Sequence, residues 1–270
     1  MKAKALKELA RDPRFISGIY NYCDRWCERC PLSNRCLNYA IELADRDDGD
    51  PSSRDLTNAK FWEKLERTFR DTIDMIQADA KERGLDLDDP DLNAEIAAQE
   101  RRERRQTAKN RPLTRAAMSY LKETEKWFTE AKPAFHAKGR ELETLSRIEA
   151  GNPEGEVAEL RELVDVIRWY QHFIYVKLCR AIEGKASEEL ETNEELKSFP
   201  KDSDGSAKIA LSAIDRSIAA WSSLRTKLGS DEHDAILDLL VRLASIRRHA
   251  EELFPRARLF VRPGFDKCKC

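Results

Sequence analysis

Apolar residues recur at helical spacing along most of this chain, and no stretch shows the two-residue alternation of a half-buried strand. From Asn58 onward, Phe61, Trp62, Leu65, Phe69, Ile73, Ile76 and Ala80 follow one another at three- and four-residue intervals and stop before Gly84. This predicts one amphipathic helix, capped at its start by Asn58 and closed by the glycine. Residues 85–92, with Pro90, read as an acidic turn, and 93–110 has helical propensity with few apolar positions. A helix pair is predicted from Leu113 to Arg147, carrying Tyr120, Leu121, Trp127, Phe128 and Phe135 and divided near Pro133.

Residues 157–182 have a different pattern. Val157, Leu160, Leu163, Val164, Ile167, Trp169, Tyr170, Phe173, Ile174, Val176, Leu178 and Ile182 cover most of a helix circumference, which predicts the central, surrounded helix of a bundle. Ile209, Leu211, Ile214, Ile218, Trp221, Leu224 and Leu228 define a further helix ended by Gly229. Ser230 reads as the N-cap of a last helix through Ile236, Leu240, Leu243, Ile246 and Phe254. The fold class expected is all-α. Its organisation reads as a Cys-rich N-terminal segment over 1–44, a polar linker over 45–57, a helical bundle over 58–262 and a C-terminal tail over 263–270.

Composition agrees with helices: hydrophobic residues make up 41% and charged residues 36%, with only ten glycines and ten prolines. Forty-eight basic residues against fifty acidic ones leave a net charge of −2, so no global field draws the chain to nucleic acid or anionic lipid. A protein partner is the expected kind, and no run approaches the eighteen or so apolar residues of a membrane span. Seven cysteines, an odd number, and no apolar run long enough for a secretory leader lead us to expect reduced thiols in the cytoplasm.

Four of those thiols, Cys23, Cys27, Cys30 and Cys36, fall within fourteen residues. Soft sulfur ligands at such spacing suit an iron-sulfur cluster first and zinc second, and only Cys27-x2-Cys30 has the form of a zinc knuckle. On a helix, positions 23, 27 and 30 share one face, with Pro31 breaking the helix and the loop Leu32–Arg35 returning Cys36 to that face. The run Cys27-Glu-Arg-Cys30-Pro31-Leu32-Ser-Asn-Arg-Cys36 resembles the last three ligands of the [4Fe-4S] loop in adenine DNA glycosylases. CRISPR-associated exonucleases have similar endings. The resemblance covers residues 23–36 and implies a [4Fe-4S] cluster on these four cysteines. It does not imply DNA repair, because the first interval here is three residues where that family has six and no helix-hairpin-helix signature follows. Cys23-x3-Cys27-x2-Cys30 also matches radical-SAM spacing, but a fourth thiolate from Cys36 would leave no open iron.

Three function classes follow. The first is a [4Fe-4S] redox, electron-transfer or sensing module that binds a partner through its bundle. The second is a structural adaptor held together by zinc or an inert cluster. The third is a helical enzyme with its site near Asp165 and His172, which lie seven residues apart on the apolar central helix with Trp169 and Cys179. The spacing of Arg242 and His249 reads as chance, the basic run Gln99–Arg105 as a solvated helix, and the terminal Cys268 and Cys270 as a disordered tail, with metal binding or a disulfide as the alternative. No phosphate loop, nucleophile elbow or HExxH motif occurs.

Overall fold

The computed structural model describes residues 9, 11–47, 50–193 and 201–266. Among these the regular structure is helical, with no strand. Eight α-helices follow in order: α1 (Leu37–Asp47), α2 (Ala59–Glu82), α3 (Pro90–Lys109), α4 (Arg111–Glu130), α5 (Lys132–Arg147), α6 (Pro153–Leu190), α7 (Asp202–Lys227) and α8 (His233–Leu253), with short 3-10 turns between some of them. The chain divides into two compact units, Met1–Arg101 with Arg262–Cys270, and Arg102–Val261.

In the second unit, α6 packs along α7, and α4 and α8 complete the bundle, with α5 also against α6. α7 buries many small residues, Ser203, Ser206, Ala207, Ala210, Ala213 and Ala220 among them, and at its start it lies close to α6, where a Cβ on Gly184 would be 3.5 Å from Ser203 Cα. Such residues let two helix backbones approach but carry little hydrophobic signal, so α7 begins seven residues before the expected Ile209. Its start is held from α6, where Glu188 accepts hydrogen bonds from the Ser203 N–H at 3.0 Å and the Ser203 hydroxyl at 2.6 Å. At the core, Trp127, Phe128 and Trp221 pack ring against ring, and the buried Trp221 indole N–H donates to the Tyr120 hydroxyl at 3.0 Å.

Other expectations change in detail. The 113–147 pair divides at Ala131, with Pro133 inside the first turn of α5, where its missing N–H has no helical partner to lose. Ser230 opens a 3-10 turn, Ser230–Glu232, and α8 starts only at His233. α6 is longer than 157–182 because the Asn152 side chain caps it from the Gly155 N–H at 3.0 Å. Nor is it surrounded. Leu160, Ile167, Tyr170, Ile174 and Leu178 are buried, while Val176 on the opposite side is exposed.

In the first unit, α1 extends into the expected linker, and a 3-10 turn over Pro51–Arg54 is capped by Asp50, which accepts from the Ser52 N–H at 3.0 Å. α2 matches its sequence reading at both ends. Asn58 accepts from the Lys60 N–H at 3.0 Å, and Gly84, at φ +69°, closes the helix with its N–H on the Lys81 carbonyl and the Leu85 N–H on the Ala80 carbonyl. The apolar stripe of α2 does not enter a core: Trp62, Phe69, Ile73 and Ile76 are 58, 61, 52 and 54% exposed.

Ile214 is fully buried on α7. Replacing it with alanine should destabilise the second unit by about 2–5 kcal/mol, read from urea unfolding followed by far-UV circular dichroism. A change below about 0.5 kcal/mol, the usual range for surface positions, would show that this part of α7 is not the core.

Candidate metal centre

The four cysteines are not presented from a helical ridge. After the 3-10 turn Ile19–Asn21 the backbone bends through Tyr22 and Cys23, and Arg25 takes the left-handed conformation at φ +60°, which is strained for a residue with a side chain. Asp24 stabilises this reversal by accepting from the Trp26 N–H at 3.2 Å. Two further 3-10 turns follow, Cys27–Arg29 and Ser33–Arg35. Each ends on a cysteine: the Cys30 N–H donates to the Cys27 carbonyl at 3.2 Å and the Cys36 N–H to the Ser33 carbonyl at 3.1 Å. Cys36 then starts α1, its carbonyl accepting from the Ala40 N–H at 3.0 Å.

The reversal and the two tight turns bring Cys23, Cys27, Cys30 and Cys36 onto the wall of one narrow pocket of about 20 Å³. Its other walls include Ile19, Tyr20, Trp26, Tyr39 and Phe265. Ile19 is 1% exposed, and the Arg29 guanidinium stacks on the Trp26 ring at 3.8 Å from its centre. The pocket is far below the several hundred Å³ of a site for an organic ligand. A centre bonded to the sulfurs needs less free space, because metal–sulfur bonds are shorter than van der Waals contacts.

Phe265 arrives from the far end of the chain. Residues 262–266 form a turn clamped on itself: Asp266 accepts from the Arg262 N–H and Nε, both at 3.0 Å, and pairs with Nη2 at 2.9 Å. Gly264 sits at φ +77°, and a Cβ there would come within 2.8 Å of Ile16 Cδ1, 3.1 Å of Ile19 Cδ1 and 3.4 Å of Leu32 Cδ1. Only glycine fits both the conformation and the space. The sequence reading placed 263–270 in a tail. Pro263-Gly264 was legible as a turn, but nothing in the sequence linked it to residues some 230 positions earlier. Cys268 and Cys270 lie outside the described residues.

Removal from water is the main cause that pushes the Cys27 thiol up to about 11, and the neighbouring Cys23, Glu42, Cys36 and Glu28 add to it. The pocket therefore favours a protonated thiol at Cys27 until a cationic centre replaces the proton. The donor set suits such a centre: four soft sulfurs, half-buried among Ile19, Tyr20, Trp26, Tyr39 and Phe265, with the Cys23 Sγ 3.6 Å from the Tyr20 carbonyl. Among the described residues, no three or more His, Cys, Asp or Glu side chains are grouped to hold a single metal ion.

The other expected site does not have the burial that suggested it. Asp165 and His172 are both exposed, on the face of α6 that also carries Val176. His172 Nε2 lies 3.4 Å from Glu125 Oε1 of α4 at the surface. Cys179 is half-buried, and burial raises its thiol pKa against the lowering effect of its hydrogen bond to Tyr175. Arg242 is ion-paired with Glu123, and the arginines of the 99–105 run are exposed among glutamates.

In metal-free protein, alkylation of Cys27 by iodoacetamide should stay slow through neutral pH and rise as the pH approaches 11, followed by peptide mass spectrometry. Rapid labelling of Cys27 near pH 7 would contradict the pocket described. Gly264→Val should open the pocket and speed labelling of the four cysteines while leaving the melting of the second unit unchanged.

Compared with known proteins, the chain matches no family model, and no curated protein or solved structure is similar to it.

Proposed function

We propose that Cys23, Cys27, Cys30 and Cys36 ligate a [4Fe-4S] cluster and that the protein works as a redox, electron-transfer or sensing module, with its helical bundle as the body that recognises a partner. The observation that carries this reading is that four soft thiols, closely spaced in sequence with a single Cys-x2-Cys pair, line one pocket.

The rest of the wall supports the same use. When bound, such a cluster exchanges single electrons at a potential set by solvent exposure and by hydrogen bonds to its sulfurs. Ile19, Tyr20, Trp26 and Phe265 line the pocket beside the sulfurs and limit their contact with water. Four protein thiolates leave no coordination position open for substrate. This favours electron transfer or the sensing of oxidants over chemistry at iron.

Protein purified anaerobically should be brown, contain about four iron and four sulfide per chain, and bleach reversibly with dithionite. Cys30→Ser should lose the colour and most of the iron. A colourless protein with stoichiometric zinc and no iron would replace this reading with the structural adaptor.

A further inference from the structure

The exposed stripe of α2 has a length, a shape and a charge order that point to one occupant. We propose that α2 pairs antiparallel with α2 of a second copy of this chain, the Trp62 indole of each copy entering the groove at the far end of the other's α2.

The groove, about 690 Å³, lies at the C-terminal end of α2 and is lined by Ile76, Ala80, Leu85 and Leu87, with Asp74 and Asp79. Its floor is Ala80, the one small residue in a stripe otherwise made of large ones. Leu85 is brought back over the helix end by the hydrogen bond from its N–H to the Ala80 carbonyl at 2.9 Å. Trp62 stands at the other end of the same stripe, exposed, and its indole N–H is committed to the Leu56 carbonyl at 3.0 Å, so the ring is held in one orientation. Knob and hole are thus about 27 Å apart on one helix. A two-fold axis near residue 71 sets Trp62 opposite Ala80, Leu65 opposite Ile76 and Phe69 opposite Ile73. This pairs the largest side chain with the smallest, and each contact occurs twice, as an isologous interface demands.

Charge selects the direction. In the first half of α2, Lys60, Lys64, Arg67 and Arg70 outnumber Glu63 and Glu66; in the second, Asp71, Asp74, Asp79 and Glu82 outnumber Lys81. A parallel pair would set like against like along the whole length. An antiparallel pair sets each basic half against an acidic one, which fixes register and partner. No other protein need be invoked, because both complementary features are on this helix.

Sedimentation equilibrium of the full chain over a concentration series tests this. The expected result is a monomer–dimer equilibrium in which Trp62→Ala raises the dissociation constant by roughly 30-fold or more, as loss of a central aromatic anchor does, and Ala80→Glu does likewise. Arg67→Glu with Arg70→Glu should weaken the dimer, and adding Asp71→Lys with Asp74→Lys to that chain should restore it. Retained helicity by circular dichroism separates loss of pairing from loss of fold, and a variant that unfolds leaves the decision to the charge series. A monomer at every concentration, a dimer indifferent to both Trp62→Ala and Ala80→Glu, or a charge reversal without rescue would each overturn the proposal.

Discussion

Removing a thiol from water makes its ionisation costly, and the N-terminal unit does this at Cys27 while surrounding it with other thiols and the carboxylates of Glu28 and Glu42. Nothing in that cluster of neighbours favours a thiolate. A pocket with this character suits protonated thiols, or the ligand shell of the cationic centre proposed above, in which bonds to metal would take the place of the protons. The enclosing walls, the tight turns and the C-terminal cap all bear on this one balance, since each determines how much water reaches the sulfurs.

The backbone of the segment is shaped accordingly. An α-helix through Cys23–Cys30 would place three sulfurs along a ridge facing outward in a row, whereas the left-handed Arg25 and two successive 3-10 turns curl the chain so that the sulfurs face inward. A non-glycine residue in that conformation costs on the order of 1 kcal/mol, which the Asp24 side-chain bond to the Trp26 N–H and the stacking of Arg29 on Trp26 help to offset. The strain lies where the four thiols come together on one pocket wall.

The two units solve burial differently. In the 102–261 bundle α7 buries serines and alanines beside large aliphatic side chains, and the rings of Trp127, Phe128 and Trp221 pack together in the same core. In the first unit α2 carries a stripe as apolar as a core helix but keeps it exposed. Exposed groups of this size are the basis of the self-pairing proposed above.

The sequence alone determined that the fold is helical, where α2 begins and ends, and which four cysteines lie close enough along the chain to share one pocket, because helical periodicity, Asn and Gly caps and close cysteine spacing are all local signals. It misled where locality failed. α6 reads as apolar all round and so suggests a buried Asp165 and His172, but burial depends on which faces are covered, and the face bearing Val176, Asp165 and His172 lies at the surface. Only the tertiary structure decided that Gly264 and Phe265 close the pocket of cysteines more than two hundred residues away, and that α2 is left exposed. Chain entropy is lost once to bring such distant residues together, and the contacts that compensate for it exist only after they have met.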